Sequence, residues 1–136
     1  MTSSGEGTGT GSKLLYEKLT EQTIGAAIEV HRAIGPGLLE SIYEECLCHE
    51  LTLRGIAFKR QLAVPLVYKG KTLDCEFRLD LIVEDLILVE LKSITQILPV
   101  HEAQLLTYMK LMNKRVGLII NFNVSVLKNG IVRRVL

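Results

Sequence analysis

The sequence predicts an α/β fold in which a mixed central β-sheet is flanked by helices. Apolar residues recur at helical spacing in the first third of the chain and again after Pro99, whereas the other segments are short runs rich in Val, Ile and Leu. Gly and Pro residues separate these segments. Together they predict the element order α-α-β-β-β-α-β-β, with the helices packed on the sheet.

A first helix is predicted before the breaker Gly35-Pro36-Gly37. Either Thr20 or Thr23 is expected to cap its start, and an apolar stripe continues through about Ala33.

Two further helices are predicted, at residues 38–53 and 100–112. Gly55 is expected in the left-handed position that ends the second helix, and Pro99 at the start of the third. The apolar stripe of the second helix predicts a buried set made of Leu39, Ile42, Cys46, Leu47 and Leu51.

Five strands are predicted, at residues 58–68, 73–83, 86–92, 116–122 and 131–136. Pro65 lies within the first run, which indicates an edge strand or a bulge. Short turns are expected at residues 69–71, 84–85 and 128–130.

The composition is that of one folded domain. The chain has 136 residues, of which 48% are hydrophobic, and we expect the domain to span residues 13–136. Residues 1–12 are rich in Gly, Ser and Thr, which predicts a flexible tail or a remnant of cloning. Neither a signal peptide nor a membrane span of roughly 20 apolar residues is recognisable, so we expect no membrane association.

Charge and cysteine content narrow the function classes. A net charge of +1 gives no general basic surface for nucleic acid, although a local basic rim would suffice. Two basic groups are either such a rim or ordinary solvated surface: Lys59, Arg60, Lys69, Lys71 and Arg78, and Lys110, Lys114 and Arg115. The cysteines, Cys46, Cys48 and Cys75, lack zinc-site spacing, which favours structural roles and a reducing, cytoplasmic compartment.

Residues 80–92, D-L-I-V-E-D-L-I-L-V-E-L-K, carry charges inside an almost unbroken apolar run. A charge in a buried strand destabilises the fold unless a partner or a metal compensates it. Glu90 and Lys92 are two residues apart, so on a strand they share a face. Two interpretations are open: Asp80 and Glu90 bind a divalent cation, or these acids form an ion pair with Lys92 in a purely structural sheet.

The register of this hairpin decides whether the two acids meet. A strict two-residue turn at Glu84-Asp85 would pair Asp80 with Val89 and send the two acids to opposite faces. A loop with an odd number of residues, or a bulge, would pair Asp80 with Glu90. We predict the odd loop, because the alternative buries one acid against apolar residues without a partner.

Paired carboxylates suit Mg²⁺ or Mn²⁺, which prefer oxygen ligands and retain waters that phosphate oxygens can replace. A bound ion of this kind polarises a phosphoryl oxygen and acidifies its water. Protonated Lys92 is not a ligand, so we expect it to orient the attacking water and to stabilise negative charge on the phosphate. Glu40, at the start of the second helix, is either an acid favoured by the helix dipole or a further ligand or water-binding acid; Glu29 and Glu44 are weaker candidates.

The third helix offers polar side chains on one face. Gln104 and Tyr108 are one turn apart, and His101 lies one turn earlier on the same side. If they face the sheet, the Gln and Tyr can hydrogen-bond a water, a carboxylate or a phosphate. The alternatives are that Gln104 is exposed, that Tyr108 lies at the rim of the core and that His101 caps the helix or is exposed.

Four segments carry a resemblance to a known family. They are E-V-H-R-A-I-G-P-G-L-L-E-S-I-Y-E at 29–44, L-D-L-I-V-E-D-L-I-L-V-E-L-K at 79–92, H-E-A-Q-L-L-T-Y-M-K at 101–110 and G-L-I-I-N-F at 117–122. In these segments the chain resembles the small bacterial and archaeal GxxExxY proteins of the PD-(D/E)XK nuclease-like superfamily. The resemblance covers nearly everything after the N-terminal tail.

This resemblance implies a restriction-endonuclease-like core: a helix, a three-stranded antiparallel meander, a second helix and a further strand, with the metal site on the meander. Leu79 stands where the superfamily motif has a proline. The site residues that it implies are Asp80, Glu90 and Glu40 as metal-binding acids, Lys92 as the catalytic lysine, and Gln104 and Tyr108 as a Gln-x-x-x-Tyr element.

The leading hypothesis is a Mg²⁺- or Mn²⁺-dependent nuclease that hydrolyses phosphodiester bonds, in DNA rather than RNA. No zinc-finger or helix-turn-helix pattern is present in the sequence, so we expect little intrinsic sequence specificity, and action as a homodimer or with a recruiting protein. One alternative is a non-catalytic nucleic-acid- or protein-binding module that retains the nuclease fold, and another is a structural domain with a buried ion pair. The intact acids and lysine favour the nuclease, and the small net charge favours the binding module.

Overall fold

The computed structural model describes residues 16–73 and 77–136, so the predicted tail at residues 1–12 and Cys75 lie outside it. Its helices are α1 (Glu17–Ile34), α2 (Glu40–Leu53) and α3 (Pro99–Met112). Its strands are β1 (Phe58–Ala63), β2 (Leu66–Tyr68), β3 (Lys71–Leu73), β4 (Arg78–Val83), β5 (Ile87–Lys92), β6 (Val116–Asn121) and β7 (Ile131–Val135), with a 3₁₀ turn at Leu127–Gly130. Across the described ranges, none of the helices is long and apolar enough to cross a membrane.

The predicted mixed sheet flanked by helices is confirmed. Its strand order is β1-β4-β5-β6-β7, in which β1, β4 and β5 form an antiparallel meander. The connection through α3 makes β6 parallel to β5, and β7 returns antiparallel to β6. β1 lies at one edge of this sheet, as the proline in its sequence run predicts.

Predicted strands 58–68 and 73–83 are too long. Each is divided, because β2 and β3 form a separate two-stranded hairpin inserted between β1 and β4. The first break falls at Val64-Pro65, where proline has no N–H to donate to a neighbouring strand. The hairpin therefore extends from the end of the sheet at which β1 finishes and β4 begins.

The sheet separates two apolar cores. On one face α1 and α2 pack against alternate residues of β5 and β6, including Val89, Leu91, Leu118 and Ile120. On the other face Leu105, Tyr108 and Met109 of α3 pack against the intervening residues, including Leu88 and Ile119. A sheet covered on both faces explains why its central strands read as nearly continuous apolar runs.

The predicted cap of the first helix is wrong. α1 begins at Glu17, so Thr20 and Thr23 lie inside the helix, and both are buried. The Thr23 hydroxyl donates a hydrogen bond to the Leu19 carbonyl oxygen at 2.8 Å, within the helix itself. Threonine is common at caps, but a hydroxyl that bonds to the preceding turn is compatible with a helix interior.

The buried face of α2 also differs from the predicted one. Leu47 and Leu51 are fully buried as expected, but Leu39 is 72% exposed and Ile42 is 44% exposed. Cys46 is only partly buried, and Tyr43, Glu44 and Cys48 complete the buried face instead. The face thus includes a tyrosine and a glutamate that a purely apolar stripe leaves out. Gly55 has φ +70° at the end of this helix, as predicted.

Gly117 is expected to be essential for the packing of α3 on β6. A Cβ atom at this position would lie 2.8 Å from Met109 Sδ and 2.9 Å from Leu105 Cδ1, and both side chains are fully buried. Overpacking of this kind costs about 1–3 kcal/mol. We expect Gly117→Ala to lower the free energy of unfolding by that amount in urea denaturation.

Gly25→Ala is the matched control. The new Cβ would meet only the flexible end of Arg54, at 3.2 Å, and alanine favours a helix interior over glycine by about 1 kcal/mol. The control is expected to be neutral or stabilising. Wild-type stability in Gly117→Ala would contradict the close packing.

Candidate active site

The turn between β4 and β5 has the predicted odd register. Val83 pairs with Ile87, which leaves a three-residue loop, and pairing continues through Leu81 and Val89. The Leu86 N–H donates to the Val83 carbonyl oxygen, and Glu84 and Asp85 both have left-handed backbones. This register confirms the predicted odd loop, and the backbone pairing stops at Leu81 and Val89, one residue before Asp80 and Glu90.

Asp80 and Glu90 are linked by reciprocal side chain-to-backbone hydrogen bonds. The Asp80 N–H donates to Glu90 Oε1 at 2.9 Å, and the Leu91 N–H donates to Asp80 Oδ2 at 2.8 Å. These contacts begin where the backbone pairing of β4 with β5 stops. Each carboxylate therefore takes the place of a strand-to-strand contact, which fixes both acids against the sheet.

The side chains of β4 exchange faces of the sheet at Asp80. Leu81 packs in the core beneath α1 and α2, whereas Leu79 packs in the core beneath α3. Residues two apart on a regular strand share a face, so this exchange requires a local irregularity between them. The neighbouring strand shows it as well, since pairing of β1 with β4 skips Gln61 and Asp80.

A polar network connects Asp80 to α2. The Gln61 side-chain amide donates to Glu44 Oε1 at 2.8 Å and to Asp80 Oδ1 at 3.4 Å. Arg60 donates to Glu44 Oε2 at 3.0 Å and to Glu45 at 2.7 Å. Arg60 was expected in a basic rim or as free surface charge, but it serves to hold these two glutamates.

The electrostatic setting opposes ionisation of both acids. Burial raises the pKa of Glu90 to about 7, the charge of Asp80 adds to this effect, and Lys92 acts against it. Burial also raises the pKa of Asp80, and the charges of Glu44 and Glu40 add to the effect. Two adjacent carboxylates with raised pKa values in a buried site are suited to binding a cation, which would relieve their repulsion.

Lys92 follows Glu90 on the same face of β5, and its charge lowers the Glu90 pKa. It forms no ion pair with any acid among the residues that the structure describes. The structural alternative, a direct ion pair with Asp80 or Glu90, is therefore not the arrangement seen in this part of the chain. The lysine is half-buried and close enough to Glu90 to lower its pKa, although no acid in the described structure is bonded to it.

The start of α2 carries Glu40 beside the acids. Gly37 has φ +94°, a left-handed conformation that favours glycine. The Tyr43 hydroxyl donates to the Gly35 carbonyl oxygen at 2.6 Å and accepts from the Leu38 N–H at 3.1 Å. The Tyr43 ring stacks on Phe122 with centroids 4.3 Å apart. In the Gly-x-x-Glu-x-x-Tyr pattern, Gly37 thus makes the turn before α2, Glu40 supplies the acid, and Tyr43 anchors the loop that precedes it.

A surface cavity of about 360 Å³ opens beside Glu40. It is lined by Leu38, Leu39, Glu40, Ser41 and Ser93. Ser93 directly follows Lys92 in the chain, so this cavity lies between the start of α2 and the end of β5. The Ser93 hydroxyl donates to the Leu38 carbonyl oxygen at 2.6 Å, which ties the two segments together.

Asn121 holds the segment that follows Lys92. Its side chain accepts from the Ile94 N–H at 3.1 Å and donates to the Ile94 carbonyl oxygen at 3.0 Å. The Phe122 N–H donates to the Lys92 carbonyl oxygen at 2.9 Å. This buried asparagine therefore fixes the end of β5 to the end of β6.

The side chains predicted on α3 have different environments. Tyr108 faces the sheet and is 5% exposed, and its ring lies 6.3 Å from that of Phe77. Gln104 is half-buried and forms no hydrogen bond with Asp80 or Glu90 in the described structure. His101 accepts a hydrogen bond from the Leu98 N–H at 2.9 Å, so it belongs to the start of α3, as one alternative predicts.

The oxygen atoms of Asp80 and Glu90 suit a hard divalent ion, but they supply only part of its ligands. Within the described ranges, no three His, Cys, Asp or Glu side chains are grouped to hold a metal ion by themselves. Mg²⁺ is commonly bound through one or two carboxylates, with waters and substrate phosphates as its other ligands. Asp80 and Glu90 supply such a pair, and Glu40 acts on both through its charge.

Sequence reasoning missed two contributors to the site and underestimated two others. Gln61 and Asn121 gave no signal, because an isolated amide in a strand resembles any exposed polar residue. The sequence marks Arg60 only as one of several basic residues and Glu44 only as a weak acid candidate. Their ion pair was not predicted, because charges that pair across different elements leave no spacing pattern. Glu29 pairs with Arg32 on the surface of α1 instead of reaching the site.

A family model described as the PD-(D/E)XK nuclease superfamily matches residues 17–135. The match runs from the first residue of α1 to the last residue of β7. No curated protein and no solved structure matches the chain.

In the absence of metal, the free energy of unfolding is expected to fall as the pH rises from about 4.5 to about 7. Glu90 keeps its proton in the folded state up to about pH 7, whereas in the unfolded chain it titrates near its ordinary value of 4.5. The folded state binds more protons within this window, so raising the pH favours unfolding. At about 1.4 kcal/mol per pKa unit the loss is on the order of 3 kcal/mol.

Glu90→Gln is expected to remove most of this pH dependence and to exceed wild type in stability at pH 8. The amide oxygen still accepts from the Asp80 N–H, but no buried charge develops. The measurement is urea denaturation at pH 5 and pH 8 with a chelator present. Glu45→Gln is the control of opposite sign, because a hydrogen bond from Arg60 lowers the pKa of Glu45 and its neutralisation brings no gain at pH 8. An unchanged pH dependence in Glu90→Gln would contradict the assignment.

Proposed function

The chain belongs to the PD-(D/E)XK nuclease superfamily, and from this premise we propose that it is a metal-dependent nuclease of the GxxExxY family that hydrolyses phosphodiester bonds in DNA. The observation that carries the proposal is the pair Asp80 and Glu90, which are held by reciprocal hydrogen bonds in a buried part of the sheet with Lys92 beside them. Glu90 is buried and Asp80 is half-buried, and two such acids without a bonded cation among the described residues destabilise the fold. A function that uses their negative charge explains why they are there.

Asp80 and Glu90 would hold the ion, Mg²⁺ or Mn²⁺. When bound, it polarises a phosphoryl oxygen and lowers the pKa of its water. The reciprocal hydrogen bonds fix one oxygen of each carboxylate, so the remaining oxygens are oriented before any ligand arrives. Glu40 is the third candidate ligand, and its exposed position at the start of α2 also suits contact through a bound water.

Lys92 would act on the phosphate rather than on the ion. Its ammonium group has three N–H donors and, in the described part of the chain, no acid bonded to it. In the reaction it stabilises negative charge on the phosphate and orients the attacking water. Its charge also eases the ionisation of Glu90, which the acid needs in order to bind a cation.

Gln104 and Tyr108 are proposed to support the substrate side of the site. Tyr108 lies in the α3 core with Leu88, two residues before Glu90 on the same face of β5. Gln104 lies one turn earlier on α3 and is half-buried, so its amide is accessible to a water or a phosphate oxygen.

DNA is proposed over RNA on the resemblance to the family. Lys59, Lys69, Lys71 and Arg78 are exposed and lie in or beside β1 and the β2–β3 hairpin, which supports a local basic surface for a polyanion. In this proposal a homodimer or a recruiting protein partner would supply the sequence specificity.

Metal binding is expected to depend on Asp80. Calorimetric titration of Mn²⁺ into wild type should show binding, and Asp80→Asn should weaken it at least about tenfold, because one negative charge is lost while an oxygen is kept for the Leu91 N–H. Asp85→Asn is the matched control, since Asp85 lies five residues along the same hairpin with its side chain 73% exposed. Absence of Mn²⁺ binding to wild type, with and without an oligonucleotide, would contradict the proposal.

Cleavage is expected to depend on Lys92 in a different way. Lys92→Ala should reduce plasmid or single-strand cleavage by about 10²-fold, the usual effect of removing a group that stabilises the transition state, and should leave the Mn²⁺ affinity within a few-fold of wild type. Lys114→Ala is the control, because Lys114 pairs with Asp85 on the surface. Tight oligonucleotide binding without cleavage by wild type would instead support the non-catalytic binding module.

A further inference from the structure

Gln61 has a strained backbone at the point where β1 passes Asp80. Arg60 pairs with Leu81 and Leu62 pairs with Leu79, but Gln61 lies unpaired between them with φ +52°. A left-handed backbone at a residue other than glycine costs on the order of 1–3 kcal/mol, and it persists only where the surroundings enforce it. Such strain often accompanies a functional constraint.

The Gln61 side chain is directed at two acids. Its Nε2 donates to Glu44 Oε1 at 2.8 Å and to Asp80 Oδ1 at 3.4 Å. The other oxygen of Asp80 accepts from the Leu91 N–H at 2.8 Å. Both oxygens of Asp80 are therefore restrained, one by the backbone of β5 and one by Gln61.

Glu44 is the fixed end of this contact. It is 7% exposed, and its second oxygen accepts from Arg60 Nε at 3.0 Å. Arg60 also donates to Glu45, one residue further along α2, at 2.7 Å. The Gln61 amide therefore bridges Glu44, which Arg60 holds in place, and Asp80.

The charged donor and the neutral donor in this network contact different acids. Arg60, the cation, contacts Glu44 and Glu45, whereas the group that contacts Asp80 is a neutral amide. A cation bonded to Asp80 would neutralise the carboxylate and compete with a metal ion. A neutral donor orients the carboxylate and leaves its charge available.

We infer that Gln61 is a positioning residue whose amide, anchored on Glu44, holds Asp80 in the orientation that binds the divalent cation. This inference rests on the proposed function, because it assumes that Asp80 is a ligand. Residues that orient metal ligands in this way typically contribute about 10- to 100-fold to metal affinity.

Gln61→Gly is the primary test. Glycine adopts the left-handed backbone without strain, so the variant loses the amide and keeps the strand geometry. In calorimetric titration we expect its affinity for Mn²⁺ to fall about tenfold relative to wild type. Gln61→Asn is the second variant, because asparagine also tolerates this backbone but its amide is one methylene shorter, and it should lose affinity in the same direction.

Asn113→Gly is the matched control. Asn113 has φ +56°, is exposed at the end of α3 and forms no hydrogen bond with either acid in the described structure, so its replacement changes the same kind of backbone without removing a contact of the site. Its affinity for Mn²⁺ should equal that of wild type.

A second readout needs no metal. Amide hydrogen exchange at Leu91 reports the bond to Asp80 Oδ2, and it should accelerate in metal-free Gln61→Gly while the amides of β6 keep their wild-type rates. A role in overall stability alone would instead accelerate exchange throughout the sheet.

The outcomes separate the inference from the proposed function. If wild type binds Mn²⁺ and both Gln61 variants bind it equally well, the positioning role is overturned and the metal site stands. If wild type itself does not bind Mn²⁺, the proposed function fails, and the inference fails with it. Weaker Mn²⁺ binding in both variants, with faster exchange confined to Leu91, supports the inference.

Discussion

The placement of a buried and a half-buried carboxylate, those of Glu90 and Asp80, where the β4–β5 pairing ends is the constraint on which the site depends. Burial raises the pKa of both Asp80 and Glu90; the charge of Asp80 adds to the effect on Glu90, and the charges of Glu44 and Glu40 add to the effect on Asp80. The fold makes the position tolerable by giving each carboxylate a backbone N–H, from Leu91 and from Asp80 itself. The remaining negative charge is incompletely compensated, which is the basis for the proposal that the pair binds a cation.

The elements around the pair hold it without neutralising it. Arg60 forms ion pairs with the glutamates of α2 and not with Asp80 or Glu90 in the described structure. Lys92 acts on Glu90 through its charge, without an ion pair between them in the described structure. Tyr43 anchors the loop before α2, so that Glu40 stays near the site. Asn121 performs the corresponding task for the segment after β5. Stability and site geometry are therefore supplied by the same hydrogen bonds.

Much of the fold follows from local sequence features. Helical periodicity, the Gly-Pro breaker and Pro99 predict the number and order of the helices, and β-branched runs predict the strands of the main sheet. The errors arise where tertiary contacts override local preference. Thr20 and Thr23 are buried inside α1 because that face meets the core. α2 buries Tyr43 and Glu44 because Tyr43 bonds to the loop before the helix and Glu44 bonds to Gln61 of β1.

The sequence by itself determined which residues carry charge in an apolar hairpin, and the cost of leaving such charges unmatched predicts the odd loop after which Asp80 and Glu90 come together. Only the tertiary structure decided how the two acids are held. The reversal of β4 at Asp80, the strained Gln61 beside it and the contact with Glu44 join three elements distant in sequence. A local pattern cannot encode such contacts, because an amide or a carboxylate has the same spacing preferences whether its partner is water or a residue on another element.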